Sequence, residues 1–298
     1  MRYVVTGAAG FIGSHLAESL LTAGHDVVGV DCFTDYYDPA EKEENARGLD
    51  MLRLDLAEES LDLDGVDGVF HLAGQPGVRS SFDDYDVYVR RNVLATQRLI
   101  EHASVRVVFA SSSSVYGDAE SYPTPEETLP KPISPYGATK LECERLIRTS
   151  EVDAVVLRYF TVYGPRQRPD MFMRRACAAL LDGGTFEIYG TGEQSRSFTY
   201  VADAVAATIA AMERAPTGAT YNVGGGEEAS VLEAIAELER VSGRTLDVRR
   251  RDVARGDVRR TKADVARIGA ELGWRPSTSL QDGLARMWAW SAARVAAR

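Results

Sequence analysis

The sequence feature that most constrains the fold is an alternation of short strand-like runs with longer amphipathic stretches. Six runs are rich in β-branched or aromatic residues, at positions 2–7, 26–31, 51–56, 68–74, 105–112 and 154–160. The stretches between them show helical spacing, as in 11–24, where Phe11, Leu16 and Leu20 share one face. Such alternation predicts an α/β fold with a doubly wound parallel sheet.

The pattern loosens after residue 163. Pro165 and Pro169 interrupt it, and the glycine-rich segment 183–192 (GGTFEIYGTG) separates shorter runs. The sequence shows no internal repeat and no long linker. We therefore expect a first domain over residues 1–163 and a smaller α/β lobe over 164–298, partly interleaved with it.

Charge and composition exclude several classes of partner. The 298 residues carry a net charge of −10 with scattered Lys and Arg, which leaves no basic face for nucleic acid. The chain enters a strand at once, without a leader-like apolar segment, and no run of about 18 apolar residues predicts a membrane span. The three cysteines and four histidines lack metal-ligand spacing. We expect a cytoplasmic protein with reduced thiols, no metal, no membrane association and no nucleic-acid partner.

A glycine loop follows the first run. Gly7, Gly10 and Gly13 repeat every three residues between a predicted strand and a predicted helix, where backbone N–H groups reach a pyrophosphate. Asp31 ends the second run, where a carboxylate accepts hydrogen bonds from ribose hydroxyls and repels a 2′-phosphate. The pair of features predicts NAD as cofactor, in preference to NADP. The alternative is a glycine-rich turn without a ligand.

Two further segments are expected to line the same nucleotide. Asp55 and Leu56 end the third run, where an adenine would lie, and 71–74 (HLAG) ends the fourth run with small residues. Small residues allow a cofactor to approach the backbone closely, whereas His71 itself is expected to pack within the strand. The cofactor-binding residues predicted from these segments are Gly7, Gly10, Phe11, Ile12, Gly13, Asp31, Asp55, Leu56, Leu72, Ala73 and Gly74.

Tyr136 and Lys140 form a YxxxK pattern at the start of a predicted helix. A spacing of four residues places both side chains on the same helix face. An ammonium group beside a phenol favours the phenolate, so Tyr136 is expected to act as a base near neutral pH. Taken alone, the pattern is common on protein surfaces. Its place shortly after a strand that ends in four serines, 111–114, favours a catalytic role.

Several motifs together resemble the extended short-chain dehydrogenase/reductase superfamily, in particular its nucleotide-sugar 4-epimerases. They are 6–16 (TGAAGFIGSHL), 111–117 (SSSSVYG), 136–140 (YGATK) and 158–171 (RYFTVYGPRQRPDM). Segments 31–39 (DCFTDYYDP) and 71–81 (HLAGQPGVRSS) are most similar to UDP-glucuronate 4-epimerases. The resemblance implies a Rossmann-type NAD-binding domain with a smaller lobe for the nucleotide sugar.

The resemblance also implies residue roles. Ser112 would bind the sugar O4, Tyr136 would remove its proton, and Lys140 would hold the nicotinamide ribose. Tyr159 and Phe160 would line the nicotinamide. Asn92 is counted with the cofactor-binding residues because the corresponding asparagine supports the active-site strand in the family.

The substrate residues implied by the resemblance are Ser113, Ser114, Thr161, Arg168, Glu187, Ile188, Tyr189, Arg196 and Arg255. Glu187, Ile188 and Tyr189 would border the uracil, and Arg196 would pair with the diphosphate. The chain departs from the family pattern in having Thr161 and Ser197 where Asn and Asp are usual. A third departure is Arg255, which stands one position away from the usual arginine.

The expected activity is epimerisation at C4 of a UDP-sugar, with UDP-glucuronate to UDP-galacturonate favoured and UDP-glucose as the first alternative. Nucleotide-sugar dehydratases usually carry Asp and Glu at the places of Ser113 and Ser114. Decarboxylases tend to carry a Glu before the VYG segment, and this chain has none there. A non-catalytic NAD-binding protein is the remaining alternative, although it would not need Ser112, Tyr136 and Lys140.

Neutral hydroxyls are expected to decide the substrate. Acidic residues at 113 and 114 would repel a C6 carboxylate, whereas Ser113, Ser114 and Thr161 donate hydrogen bonds to it. The alternative is that small serines leave room for any hexose. The resemblance further implies a homodimer formed by the helices that carry Asn92 and Tyr136.

Overall fold

The computed structural model describes residues 1–296, so the last two residues of the predicted second lobe, 297 and 298, lie outside the described residues. Its first half contains, in order, β1 (Arg2–Thr6), α1 (Phe11–Thr22), β2 (Asp26–Asp31), α2 (Pro39–Asn45), β3 (Asp50–Arg53), β4 (Gly68–His71), α3 (Tyr85–Tyr88), α4 (Ala95–His102), β5 (Arg106–Ser112), α5 (Pro135–Thr149) and β6 (Ala154–Tyr159). A π-helical segment, Val89–Leu94, joins α3 to α4, and 3₁₀ turns cover Ser80–Phe82 and Ser113–Val115.

The second half contains shorter elements. They are β7 (Val162–Tyr163), α6 (Phe172–Asp182), β8 (Thr185–Tyr189), β9 (Ser195–Ser197), β10 (Thr199–Tyr200), α7 (Val201–Arg214), β11 (Thr220–Val223), β12 (Glu228–Ser230), α8 (Val231–Ser242), β13 (Asp247–Arg251), β14 (Arg260–Thr261), α9 (Ala266–Leu272) and α10 (Leu280–Ala296).

Seven strands form one parallel sheet in the order β11-β6-β5-β4-β1-β2-β3. Alternate residues of each strand face opposite sides, and both sides are buried. Val5, Phe70 and Val108 face the helices α1 and α7, whereas Val4 and Val107 face α4 and α5. This is the expected doubly wound α/β arrangement.

Strand β11 comes from the second half of the chain but pairs with β6 at the edge of this sheet. The helix before it, α7, packs against α1. The remaining second-half strands form small two- and three-stranded sheets, including β8 with β13 and β12 with β9 and β14. Helix α7 and strand β11, within residues 201–223, therefore pack with the seven-stranded sheet rather than with the small sheets.

The third predicted strand is shorter than its sequence pattern indicated. Strand β3 ends at Arg53, and Asp55 begins a turn, because its carboxylate accepts a hydrogen bond from the Ala57 amide at 3.0 Å. Asp55 and Leu56 thus follow the strand instead of ending it. Within residues 1–296, no helix combines the length and the apolar character that a membrane span requires.

Candidate active site

A cavity of about 450 Å³ lies at the carboxyl ends of the strands β1, β2, β4, β5 and β6 of the central sheet. Parallel strands bring their last residues to one edge, which is where ligands bind in open α/β sheets. The predicted residues in its wall are Gly7, Gly10, Phe11, Ile12, Gly13, Asp31, Asp55, Leu56, Leu72, Ala73, Gly74, Ser112, Ser113, Ser114, Tyr136, Lys140, Tyr159, Phe160, Thr161 and Arg168.

The glycine loop forms one wall of the cavity at the start of α1. Gly7 has a φ of 70°, and a Cβ there would lie 2.8 Å from the backbone nitrogen of Ala73. A Cβ at Gly13 would overlap the carbonyl oxygen of Gly7. Helix geometry leaves the first N–H groups of α1 without intrahelical partners. The start of α1 therefore presents amide donors and the positive helix end to an anion.

Asp31 ends β2 with its carboxylate at the cavity wall. The carboxylate accepts hydrogen bonds from the Phe33 amide at 2.8 Å and from the Ala9 amide at 3.3 Å. Burial raises the pKa of this carboxyl above its ordinary value, although the two amides and Lys42 act in the opposite direction. The amides fix the orientation of the carboxylate, and its remaining acceptor capacity faces the cavity.

Lys42 lines the same part of the cavity and was not predicted. Its ammonium donates to the carbonyl oxygen of Thr34 at 2.7 Å and to the Thr34 hydroxyl at 2.8 Å. The available signal was Asp38 followed by Pro39, an N-cap and a first-turn proline that begin α2 and bring Lys42 back towards β2.

The serine run ends β5 and turns into the cavity. Ser112 is the last residue of the strand, and its hydroxyl accepts a hydrogen bond from the Ser114 amide at 3.1 Å, which caps the 3₁₀ turn. Ser112, Ser113 and Ser114 all line the cavity. The strand end therefore supplies neutral hydroxyl groups.

Helix α5 positions the tyrosine and lysine of the YxxxK pattern. The Ser134 hydroxyl accepts a hydrogen bond from the Gly137 amide at 3.1 Å, and Pro135 occupies the first helical position. Tyr136 is half-buried, whereas Lys140 is buried and donates to the carbonyl oxygen of Ala110 at 2.9 Å. The start of α5 is thus attached to β5 next to Ser112.

Asn92 lies behind the cavity wall, where it can support the site without lining the cavity. It is 1% exposed, its side-chain oxygen accepts from the Gln75 amide at 2.6 Å, and its amide donates to the Thr139 hydroxyl at 3.0 Å. A Cβ at Gly74 would lie 2.8 Å from the Asn92 oxygen and 3.3 Å from the Lys140 ammonium. Asn92 therefore joins the loop after β4 to helix α5.

Tyr88 supports the site, although no sequence pattern predicted this role. Its ring meets the Tyr136 ring edge-on, with centroids 6.2 Å apart. Its hydroxyl donates to the carbonyl oxygens of Pro76 and Gly77 at 2.7 and 2.8 Å, and burial raises its pKa to about 12. The sequence offered no distinguishing signal, since Tyr88 is one of several aromatic residues in a helical stretch.

The end of β6 forms the remaining wall. The Tyr159 hydroxyl is hydrogen-bonded to Thr208 at 2.6 Å, and burial raises the pKa of Tyr159. Thr161 lies two residues after Tyr159 and lines the cavity with a hydroxyl side chain. Arg168 also lines the cavity, but its guanidinium pairs with Asp170 at 3.0 Å, which neutralises its charge.

The other five predicted substrate residues lie outside this cavity: Glu187, Ile188, Tyr189, Arg196 and Arg255. Ile188 is 2% exposed and packs in the core, as alternation along β8 requires. Glu187 accepts hydrogen bonds from Arg251, and these hydrogen bonds lower the pKa of the Glu187 carboxyl. Neither Glu187 nor Ile188 lines the cavity, so their predicted contact with the uracil stays a prediction.

The remaining three are engaged with neighbouring loops. The Arg79 guanidinium lies 3.8 Å from the centre of the Tyr189 ring, and that of Arg255 lies 4.1 Å from the Phe82 ring. Arg196 donates to the carbonyl oxygens of Ser195 and Val258, both at 2.8 Å, and burial lowers its pKa. A diphosphate role for Arg196 or Arg255 thus stays a prediction.

The sequence matches the model of the NAD dependent epimerase/dehydratase family over residues 3–224. The chain belongs to this family. It is 42% identical to an uncharacterized UDP-glucose epimerase of Bacillus subtilis, over 95% of this chain and 96% of the relative. It is 36% identical to the UDP-glucuronate 4-epimerase of Thermodesulfobacterium geofontis, over 97% of this chain and 95% of the relative.

A solved structure shows the same similarity in three dimensions. The UDP-glucuronic acid 4-epimerase from Bacillus cereus, in complex with UDP-glucuronic acid and NAD, is 38% identical to this chain. It superposes with a TM-score of 0.94 and covers 99% of this chain and 100% of its own. These matches confirm the predicted family, the doubly wound fold and an enzyme class that depends on NAD.

Proposed function

We propose that this chain is an NAD-dependent epimerase that inverts C4 of UDP-glucuronic acid to give UDP-galacturonic acid, through a transient 4-keto sugar. The observation that carries the proposal is a single cavity that combines a dinucleotide cradle with Ser112, Tyr136 and Lys140. Its serine and threonine wall carries no carboxylate at positions 113 and 114. The relatives described above are named for both UDP-glucuronate and UDP-glucose.

The residues present fit NAD. Side chains at Gly7 and Gly13 would collide with backbone, so the tight loop needs glycine at both positions. The first amides of α1, which follow the loop, have no intrahelical acceptor and are open to a diphosphate. Asp31 is oriented by two amides and would accept hydrogen bonds from the adenosine ribose. Lys140 would hold the nicotinamide ribose, and Tyr159 and Phe160 would line the nicotinamide ring. When bound, NAD supplies the acceptor and then the donor of the C4 hydride.

The chain's own side chains manage the proton and the orientation of the sugar. Tyr136 accepts the O4 proton while C4 is oxidised, and returns it when C4 is reduced on its opposite face. The Ser112 hydroxyl holds O4 in place. Atoms and electrons balance over one cycle, because the same hydride and proton leave and return.

The C6 carboxylate would be held by Ser113, Ser114 and Thr161. Each neutral hydroxyl donates one hydrogen bond to it without forming an ion pair. Arg168, one of several cations in the wall, is already paired with Asp170. Oxidation at C4 creates a β-keto acid that loses CO₂ readily, so a carboxylate held by neutral donors favours epimerisation over decarboxylation.

We further propose a homodimer and a cytoplasmic location. The helical segment that contains Asn92 exposes two large apolar side chains, Tyr85 at 49% and Leu94 at 42%. Burial of such side chains by a second copy would remove apolar surface from water. Light scattering of the purified protein measures the mass, and a monomer would contradict the dimer.

The test is product analysis by NMR with UDP-glucuronate and UDP-glucose offered separately. We expect UDP-galacturonate from the acid, with a higher kcat/KM than for the neutral sugar. Tyr136→Phe should lower kcat by about 10²–10⁴-fold and leave the bound NAD in place. The control Tyr85→Phe, at an exposed tyrosine of α3, should leave turnover unchanged.

Thr161→Ala tests the substrate assignment. It should lower kcat/KM for UDP-glucuronate on the order of tenfold and affect UDP-glucose less, because one donor to the carboxylate is lost. A parent protein that prefers UDP-glucose would refute the glucuronate assignment while leaving C4 epimerisation intact. Full activity of Tyr136→Phe would refute the mechanism.

A further inference from the structure

A series of buried polar side chains that the proposed reaction does not use runs from Ser111, at the cavity wall, into the protein behind it. It consists of Ser111, Glu144, Arg158, Tyr116 and Asn222, and we call it the buried network. Glu144 is 0% and Arg158 is 1% exposed. Burying two charges is costly, and a buried ion pair is weak evidence of a gain in stability.

The hydrogen bonds of the buried network are continuous. Arg158 donates to both carboxylate oxygens of Glu144, at 3.0 and 2.7 Å, and the Ser111 hydroxyl donates to the same carboxylate at 2.5 Å. Arg158 also donates to the Tyr116 hydroxyl at 2.8 Å, which donates in turn to the Asn222 side chain at 2.7 Å. Both charged groups of the buried network, Glu144 and Arg158, therefore have hydrogen-bond partners.

The buried network joins the elements that carry the proposed catalytic residues. Glu144 lies one helical turn after Lys140 on α5, and Ser111 directly precedes Ser112 on β5. Ser111 pairs with Arg158 across β5 and β6, in the same register that pairs Ser112 with Tyr159. Helix α5 thus touches β5 through Glu144 at Ser111 and through Lys140 at the carbonyl of Ala110.

We propose that Ser111, Glu144 and Arg158 are positioning residues. They fix the position of helix α5 along the direction of strand β5, relative to the end of that strand. They thereby set Tyr136 and Lys140 relative to Ser112. This inference rests on the proposed epimerase function. A shift of helix α5 along the strand would misplace the base and the O4 donor together, and displacements of about 1 Å cost on the order of 100-fold in rate.

Two variants separate positioning from stability. Ser111→Ala removes one hydrogen bond and leaves the Glu144–Arg158 pair intact. The double variant Glu144→Met with Arg158→Met replaces the buried pair by apolar side chains, a change that often leaves stability equal or higher. The matched control is Glu142→Gln with Arg145→Met, an exposed pair on the same helix.

We expect Ser111→Ala and the double variant to lower kcat by at least about tenfold, with KM for UDP-glucuronate and the bound NAD within twofold of the parent. The exposed control pair should keep the parent kcat. Parent-like kcat in Ser111→Ala overturns the proposal, and so does a loss of kcat matched by an equal loss of bound NAD. If the double variant does not fold, Ser111→Ala decides.

Turnover of the parent protein is measured first. This measurement tests the proposed epimerase function independently of the positioning role of the buried network. A parent that converts neither sugar refutes the proposed function. The positioning is then decided by crystal structures of the parent and Ser111→Ala. An unchanged contact between the Lys140 ammonium and the Ala110 carbonyl in that pair of structures overturns it.

Discussion

Asp31 and Ser112 show how ordinary side chains acquire a specific task from their place at a strand end. Both are the last residues of parallel strands, so their polar groups face the cavity rather than the core. Backbone amides then orient them: Asp31 accepts from Ala9 and Phe33, and Ser112 accepts from Ser114. The residue type sets the chemistry, and the amides set its direction.

Asp31→Ala should weaken the discrimination against NADP. The carboxylate repels a 2′-phosphate, so its removal should raise the affinity for NADP relative to NAD on the order of tenfold. Dissociation constants of both nucleotides for nucleotide-free protein measure the change. Asp26→Ala, at the exposed opposite end of β2, is the control. A parent protein that binds both nucleotides equally would contradict the role of Asp31.

At the scale of elements, helix α5 is the part that turns a sequence pattern into a site. Ser134 and Pro135 fix where the helix begins, and this places Tyr136 in its first turn and Lys140 one turn later. The helix then packs on β5 through Lys140 and Glu144. A small change at its first turn therefore reaches the proposed base directly.

Ser134→Ala should cost about 1 kcal/mol of stability, the usual effect of losing an N-cap. It should also lower kcat, because Tyr136 lies in the turn that frays. Ser230→Ala is the matched control, since Ser230 accepts from the Glu233 amide at 3.1 Å in the same way, in the second half of the chain. Both variants should unfold at lower urea concentration, and only Ser134→Ala should lose turnover. Equal kcat values in the two variants would contradict this role of α5.

At the scale of the whole molecule, the central sheet connects the two halves of the chain. Strand β11 completes its edge from the second half, and two hydrophobic clusters cover its faces. His71 lies in the middle strand of this sheet, hydrogen-bonded to Thr6 at 2.8 Å and Thr96 at 3.1 Å. It is 1% exposed, so it is a packed strand residue of the core.

Acid should destabilise the protein through His71. Burial, with a smaller effect from Lys140, lowers its pKa in the folded state to about 3. An unfolded-state histidine has a pKa of about 6.5, so between these values the unfolded chain binds one more proton and stability rises with pH. The free energy of unfolding is not reduced by His71 above about pH 6.5. Below that pH it falls by about 1.4 kcal/mol per pH unit as the pH approaches 3.

The measurement is the free energy of unfolding by urea between pH 4 and 7 for the parent and His71→Gln. The variant should show a shallower slope, because it lacks the proton that the parent takes up on unfolding. His102→Gln, at an exposed helix position, should keep the parent slope. Identical slopes in all three proteins would show that His71 does not control the acid response.

The sequence by itself determined the features that depend on local patterns. Strand and helix alternation predicted the doubly wound sheet, and glycine spacing, the strand-end Asp31 and the YxxxK pair predicted most of the cavity wall. These predictions agree with the structure because periodicity, turn geometry and helix spacing depend on only a few neighbouring residues.

Only the tertiary structure decided which distant residues meet. It added β11 to the edge of the first sheet, put Lys42 beside Asp31, and packed Tyr88 against Tyr136. It also showed which groups Asn92 joins, the Gln75 amide and the Thr139 hydroxyl. Ser111 and Glu144 are 33 residues apart and share a hydrogen bond because strand register and helix packing bring them together. Such contacts depend on burial and pairing across the whole fold, and no local pattern in the chain encodes them.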